Sequence, residues 1–260
     1  MIKAIMLDLD GTLLTSDHKI SDTNKEVLKK LEDKGVKIFL ATGRSYDSMK
    51  RYHKELNLTT PAICYNGAKI IYSNEVQKEY SVKKDSLKTI IEIAREYKTH
   101  LNIYQHEIWY CENVTNEETE IYKGISGLEP IKKDFDLLDE MFSTKVLYIG
   151  ENEKLLKIEK IIKDKLGDSV HTTFSKPFFL EILAGDVNKG TAMKNIMLEE
   201  DIPLSQVIAF GDGLNDKEML VTAGIGVAMD GAFDELKKVA DYVTESCDNS
   251  GVGEFLKRYL

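Results

Sequence analysis

The chain has 260 residues, 42% hydrophobic and 30% charged, a composition that suits a globular protein and excludes a disordered one. At roughly 150 residues per domain, that length fits one large domain or two modest ones. Lys and Arg number 35 against 44 Asp and Glu, a formal charge of -9; such a surface repels phosphodiester backbones and anionic lipid, so neither nucleic acid nor membrane is an expected partner.

Residues 1–10 form an apolar run that reads as a buried strand and closes on Asp8 and Asp10, with Gly11 next. The two acids interrupt it too early for a signal peptide. In the helix that follows, Ser21 suits the N-cap, Val27, Leu28 and Leu31 share a face, and Gly35 falls where a left-handed residue is wanted. Residues 36–41 are a second short strand, followed by Thr42-Gly43-Arg44 and a helical pattern carrying Tyr46, Met49, Tyr52 and Leu56. Residues 62–65 are a third strand, and 68–80 read as a hairpin.

From about Ser81 the rhythm changes. A helix over 86–97 precedes strands at 101–105 and 108–111 with no helix between them. A polar helical stretch with Glu117, Glu118 and Glu120 follows, then strand 145–149, helix 153–166 and strands 170–174 and 178–183. From Asn188 the alternation returns: helix 189–200, strand 206–210, helix 214–223, strand 225–228, helix 232–239, strand 241–244 and a terminal helix. The pattern predicts an α/β parallel-sheet domain built from residues 1–80 and 185–260, with an α+β domain of residues 81–184 inserted into it. Cys64, Cys111 and Cys247 are odd in number and never paired as C-x-x-C, which argues against a disulfide framework or zinc site and for a cytoplasmic location.

Four short segments carry chemistry. In Asp8-Leu9-Asp10-Gly11-Thr12 the acids stand two residues apart at a strand end, so both face one side while Gly11 lets the chain turn away. One can attack while the other moves protons; acids beside a turn are the plainer reading of a lone D-x-D, but these close a strand expected to be buried. Thr42-Gly43, at a strand-to-helix junction on the same sheet edge, either cradles a phosphate with hydroxyl and amides or caps the helix. Lys189 either decorates a solvated helix face or offsets the charge of a bound anion. Gly211-Asp212-Gly213-Leu214-Asn215-Asp216 offers hard oxygen donors suited to Mg²⁺, or an Asx-rich turn before the next helix. The calcium-loop spacing, the dinucleotide fingerprint and the Walker loop are all absent, and the five histidines show no metal spacing.

Taken in order, DLDGTLL, ATGR, VNKG and GDGLND resemble the four motifs of the haloacid dehalogenase-like superfamily, and the chain is similar to its Cof-type phosphatases. The resemblance implies a Rossmann-like core with an α/β cap and Mg²⁺-dependent hydrolysis of small phosphorylated metabolites, sugar or cofactor phosphates, through an aspartyl-phosphate. It makes Asp8 the nucleophile and Asp10 the acid that protonates the leaving alcohol, its pKa raised by the charge of Asp8. The metal is expected on the side chains of Asp8 and Asp212 and the main-chain carbonyl of Asp10, with Asp216 direct or through water. Thr42, Gly43 and Lys189 are expected to hold the phosphoryl group, Asn215 to help position it or Lys189, and Arg44 to be structural or cap-facing. Departures from the family text place Asp186 on the expected site rim, where it would disfavour a strongly anionic substrate. Tyr104, Trp109 and Tyr122 are possible cap contacts, with ordinary core packing the plainer reading. A monomer or weak homo-oligomer is expected. Two other readings use the same residues: a phosphomutase or phosphotransferase, and a silent module that senses a phosphorylated ligand. A pure binder has no use for an acid-base partner beside a nucleophile.

Overall fold

In the computed structural model, which describes residues 2–72 and 75–260, the chain opens with β1 (Ala4–Leu7), α1 (Asp22–Asp33), β2 (Lys37–Leu40), α2 (Tyr46–Glu55) and β3 (Ala62–Cys64). The hairpin strands β4 (Lys69–Tyr72) and β5 (Glu75–Glu79) follow, and the expected hairpin's tip, Ser73-Asn74, lies outside the described residues. Helix ends obey local chemistry: the Ser21 hydroxyl accepts from the Asn24 amide at the start of α1, and Gly35 takes φ +87° just past its end.

The inserted stretch contains α3 (Lys84–Glu96), β6 (His100–Gln105), β7 (Ile108–Cys111), α4 (Glu117–Ser126), β8 (Ile131–Lys132), β9 (Val146–Ile149), α5 (Asn152–Leu166), β10 (Val170–Lys176) and β11 (Phe179–Ala184). The chain then returns through α6 (Lys189–Glu199), β12 (Val207–Gly211), α7 (Lys217–Thr222), β13 (Ile225–Ala228), α8 (Asp234–Lys237), β14 (Tyr242–Val243) and α9 (Gly251–Leu256). Two differences from the sequence reading are local. The two-residue β8 is too short to leave a periodic signal, and the expected helix 214–223 begins as a separate single turn at Leu214–Asp216.

The core sheet is parallel, in the order β14-β13-β12-β1-β2. Its central strand alternates between two packed faces, as a period of two requires. Ala4 and Met6 join Met193, Ile196 and Leu220 on one side, while Ile5 and Leu7 join Val27, Leu28, Met49 and Phe255 on the other. The third expected strand does not extend this sheet. β3 forms an antiparallel sheet with β4 and β5 and meets the parallel sheet just beyond the end of β2, through a parallel bridge between Ala41 and Ile63 and backbone bonds from Thr42 to Ile63, Asn66 to Thr42 and Tyr65 to Arg44.

The inserted unit is a six-stranded, mostly antiparallel sheet in the order β10-β11-β9-β6-β7-β8. Its outward face buries Leu101, Ile103, Val146, Tyr148, Leu180 and Ile182 under α3 and α5. The alternate residues Leu147, Ile149, Phe179 and Leu183 belong to the same apolar cluster as the core. Alternation therefore turns Lys145 and Glu181, which share their face, toward the core rather than solvent. No helix among the described residues is long and apolar enough to cross a membrane.

Candidate active site

Register builds the site. Leu7 pairs with Leu40 on one side and Phe210 on the other, so Asp8, Thr42 and Asp212 leave the sheet together at its carboxyl edge, where ligands of open parallel sheets bind. Asp8, Asp10, Thr42, Gly43, Asp212 and Asn215 all line one cleft there. Lys189 and Asp216 lie just behind it, both fully buried.

Carboxylate oxygens of Asp8, Asp212 and Asp216 lie within 4.8 Å of one another. Lys189 stands in the first turn of α6, which Asn188 caps by accepting from the Thr191 amide. Its Nζ donates to Oδ1 of Asp8 and Oδ1 of Asp216, each at 2.6 Å. The other oxygen of Asp216 accepts from the amides of Asp212 and Gly213 at 3.0 Å. Asp216 thus ties the loop to the lysine with both oxygens, which favours its contact with a metal through water over a direct one.

Three carboxylates against one ammonium leave a formal excess of two negative charges. Burial, and then the Asp216 charge, push Asp8 up to about 7 despite Lys189. Burial together with the charges of Asp8 and Asp216 raises Asp212 as well. Burial opposes the Lys189 ammonium, but Asp216 and Asp8 outweigh it and raise its pKa. Hard carboxylate oxygens crowded in a buried pocket with a surplus of two charges fit a divalent cation such as Mg²⁺.

Gly11 permits the crowding. It takes φ +83°, and a Cβ added there would stand 2.1 Å from Oδ2 of Asp212. Gly11→Ala is expected to cost about 1–2 kcal/mol of stability from the left-handed backbone alone. Displacement of Asp212 should also raise the Mg²⁺ concentration for half-maximal activity by roughly 10–100-fold. A Mg²⁺ titration of the variant, with a thermal melt beside it, checks both.

Asp10 departs from expectation. Its side chain turns away from the carboxylate cluster to Arg44, which donates from Nε to Oδ2 at 2.7 Å and from Nη2 to Oδ1 at 2.6 Å. Burial would raise its pKa, but hydrogen bonds from Arg44 and His18, with the charges of Arg44 and Lys176, hold the carboxyl far below the usual carboxylate range. The expected upward shift from Asp8 is overridden by a bidentate, charge-assisted pair. Arg44, expected to be structural or cap-facing, lines the cleft where it meets the inserted unit, with a third bond to Ser48 at 3.1 Å, whose hydroxyl donates to the Ser126 carbonyl of that unit. Asp186 is corrected too: it is exposed and does not line the cleft.

The remaining lining comes from the inserted unit, and most of it escaped the sequence reading. Lys145 donates to the Gly43 carbonyl at 2.7 Å and pairs with Glu181 at 3.0 Å. Glu181 accepts from Asn66 at 2.8 Å, and Asn66 in turn accepts from Asn215 at 2.9 Å. Asn66, held at φ +53°, therefore links the Asp212–Asp216 loop to the inserted sheet. A charge inside the apolar run Phe-Phe-Leu-Glu-Ile-Leu is a signal that marks Glu181; Lys145 is marked only by its place before Val-Leu-Tyr-Ile. Tyr104 and Tyr122 line the cleft, whereas Trp109 packs edge-on against Tyr122 with ring centroids 5.0 Å apart.

Comparisons with known proteins identify the family. The pattern of the haloacid dehalogenase-like hydrolases matches residues 5–256. The 5-amino-6-(5-phospho-D-ribitylamino)uracil phosphatase YitU of Bacillus subtilis is 29% identical, covering 98% of this chain and 97% of that protein. The HMP-PP phosphatase of Serratia proteamaculans is 28% identical over 100% of this chain and 96% of its own length. A haloacid dehalogenase-like hydrolase from Bacteroides thetaiotaomicron superposes with a TM-score of 0.86 at 29% identity, covering both chains completely.

Proposed function

Because the chain belongs to the haloacid dehalogenase-like hydrolase family, we propose that it is a Mg²⁺-dependent phosphatase of small phosphorylated metabolites that works through an aspartyl-phosphate on Asp8. One observation carries the reading. A buried carboxylate, Asp8, shares a cleft with Asp10, the Thr42-Gly43 junction and a three-carboxylate cluster with two surplus charges.

A carboxylate oxygen of Asp8 attacks phosphorus, and the bond from phosphorus to the leaving oxygen breaks. Asp10 gives that oxygen a proton, which avoids expelling a bare alkoxide. Asp10 then takes a proton from water, whose oxygen attacks the aspartyl-phosphate, releasing phosphate and regenerating Asp8. For the first step Asp10 must exchange Arg44 for the leaving oxygen and acquire a proton. Its pairing with Arg44 describes a resting arrangement, ionised and held aside. Lys189 keeps Asp8 oriented, while Thr42 and the Gly43 backbone hold the phosphoryl group with help from Asn215. Mg²⁺, held by Asp8, Asp212 and the Asp10 carbonyl with Asp216 through water, would neutralise charge on the phosphoryl oxygens.

Residues 81–184 then serve as the cap that chooses the leaving group, over a core of residues 1–80 and 185–260. The aromatic walls of Tyr104, Tyr122 and Phe179 beside the Lys145–Glu181 pair favour a leaving group with both an apolar face and hydroxyls, such as a sugar or a polyol-linked ring. The named substrate of YitU, a phosphorylated ribityl chain on a uracil, is of that kind. Three free cysteines agree with a cytoplasmic location.

The test is a panel of phosphorylated metabolites and p-nitrophenyl phosphate, assayed for released phosphate with Mg²⁺ and again with excess chelator. Release should fall to background with chelator and return when Mg²⁺ is restored. Activity indifferent to chelator, or no release from any monoester, would sink the reading. Adding excess sugar acceptor and identifying the product separates hydrolysis from transfer.

A further inference from the structure

In the resting arrangement the core side of the cleft has no uncommitted positive charge to meet an incoming substrate. Lys189 is held between Asp8 and Asp216, and Arg44 is engaged bidentately by Asp10. From the inserted unit, Lys145 is paired with Glu181. A divalent cation would cancel the two surplus charges of the carboxylate cluster and no more. Yet a phosphate monoester enters with about -1.5 to -2 charges at pH 7. Among the described residues, one further cation lines the cleft, Lys176, and it has neither an ion pair nor a side-chain hydrogen bond.

The position of Lys176 has a structural cause. In a regular strand Ser175 and Lys176 would face opposite sides, but the ladder between β10 and β11 shifts register between Phe174 and Lys176. An irregularity of that kind re-aims side chains, and here both residues line the cleft. Ser175 donates to Glu181, whereas Lys176 is left uncommitted. Its charge reaches the carboxylates at the sheet edge, acting to lower both Asp10 and Asp212.

We propose that Lys176, brought to the cleft by the bulged strand β10, binds the phosphoryl group and supplies the positive charge that the core lacks. The proposal rests on the phosphatase reading and adds that the site is electrostatically complete only with the inserted unit lowered. An uncommitted ammonium over a charged reacting group is worth most where bound substrate excludes water.

The test uses the full chain with Mg²⁺ and inorganic phosphate as the probe, its affinity measured by calorimetry, alongside turnover of p-nitrophenyl phosphate. Lys176→Met should weaken phosphate binding about tenfold and lower kcat/KM about 100-fold, with Lys176→Arg keeping most of both. Lys194→Met, on the exposed side of α6, should match wild type. Phosphate affinity of Lys176→Met within twofold of wild type overturns the proposal. So does a loss confined to substrates bearing a second anionic group, and so does a wild-type protein that binds no phosphate. Because binding is read without turnover, absent turnover counts against the hydrolase reading alone.

Discussion

Asp8→Asn should reduce phosphate release by about 10⁴-fold or more, to the background of the assay, in a protein that remains folded. An amide of the same shape cannot attack phosphorus, and the neighbouring carboxylates are committed elsewhere, Asp212 to the proposed metal. Asp10 is held on Arg44, and both oxygens of Asp216 are occupied by Lys189 and two backbone amides. The fold should tolerate the change for a reason visible in the electrostatics. Burial and Asp216 hold the folded-state pKa of Asp8 above its ordinary value, so above that ordinary value an ionised Asp8 opposes folding in the metal-free protein. The neutral amide removes that opposition, and Lys189 keeps its bond to Asp216. Metal-free Asp8→Asn at pH 7 should therefore melt no lower than metal-free wild type. Retained turnover in a folded variant would remove Asp8 from the chemistry.

How much of this was legible beforehand follows from what each feature depends on. The parallel sheet was readable because its strands are buried on both faces and appear as short apolar runs, Ala-Ile-Met-Leu for β1 and Val-Ile-Ala-Phe for β12. Asp8, Thr42, Lys189 and Asp212 were readable because each follows a strand or opens a helix at a motif, and register then brings them together. The turning of β3 into a hairpin sheet that meets the core only beyond the end of β2 was not, since such pairing at Ala41 and Thr42 has no pattern in the chain. Asp10 was assigned the wrong electrostatic environment because its partner, Arg44, is 34 residues away and is aimed by the start of α2. Lys176 was invisible for a similar reason: which face it occupies depends on one register shift in β10. Motifs locate groups along the chain, whereas charge balance is a property of the assembled pocket.

Lys189→Met should be the most damaging single change to the fold and the site together. The wild-type ammonium is fully buried with two carboxylate partners at 2.6 Å. Without it, three crowded carboxylates have no compensating charge, and leaving a buried charge unpaired costs about 3–5 kcal/mol. Urea unfolding in excess chelator should show a loss of that size. Saturating Mg²⁺ should recover part of it, because a cation on Asp8 and Asp212 relieves the same repulsion. Adding Asp216→Asn to Lys189→Met should recover stability further, since the amide oxygen still serves the backbone of Asp212 and Gly213 while one charge is gone. That double variant should nonetheless stay inactive, having lost the group that orients Asp8. A single Lys189→Met protein within about 1 kcal/mol of wild type would mean that water reaches the cluster and screens it. The surplus of two charges would then no longer require a buried dication. Stability measured with and without metal, in the single and double variants, therefore reads the charge balance of the pocket independently of any substrate.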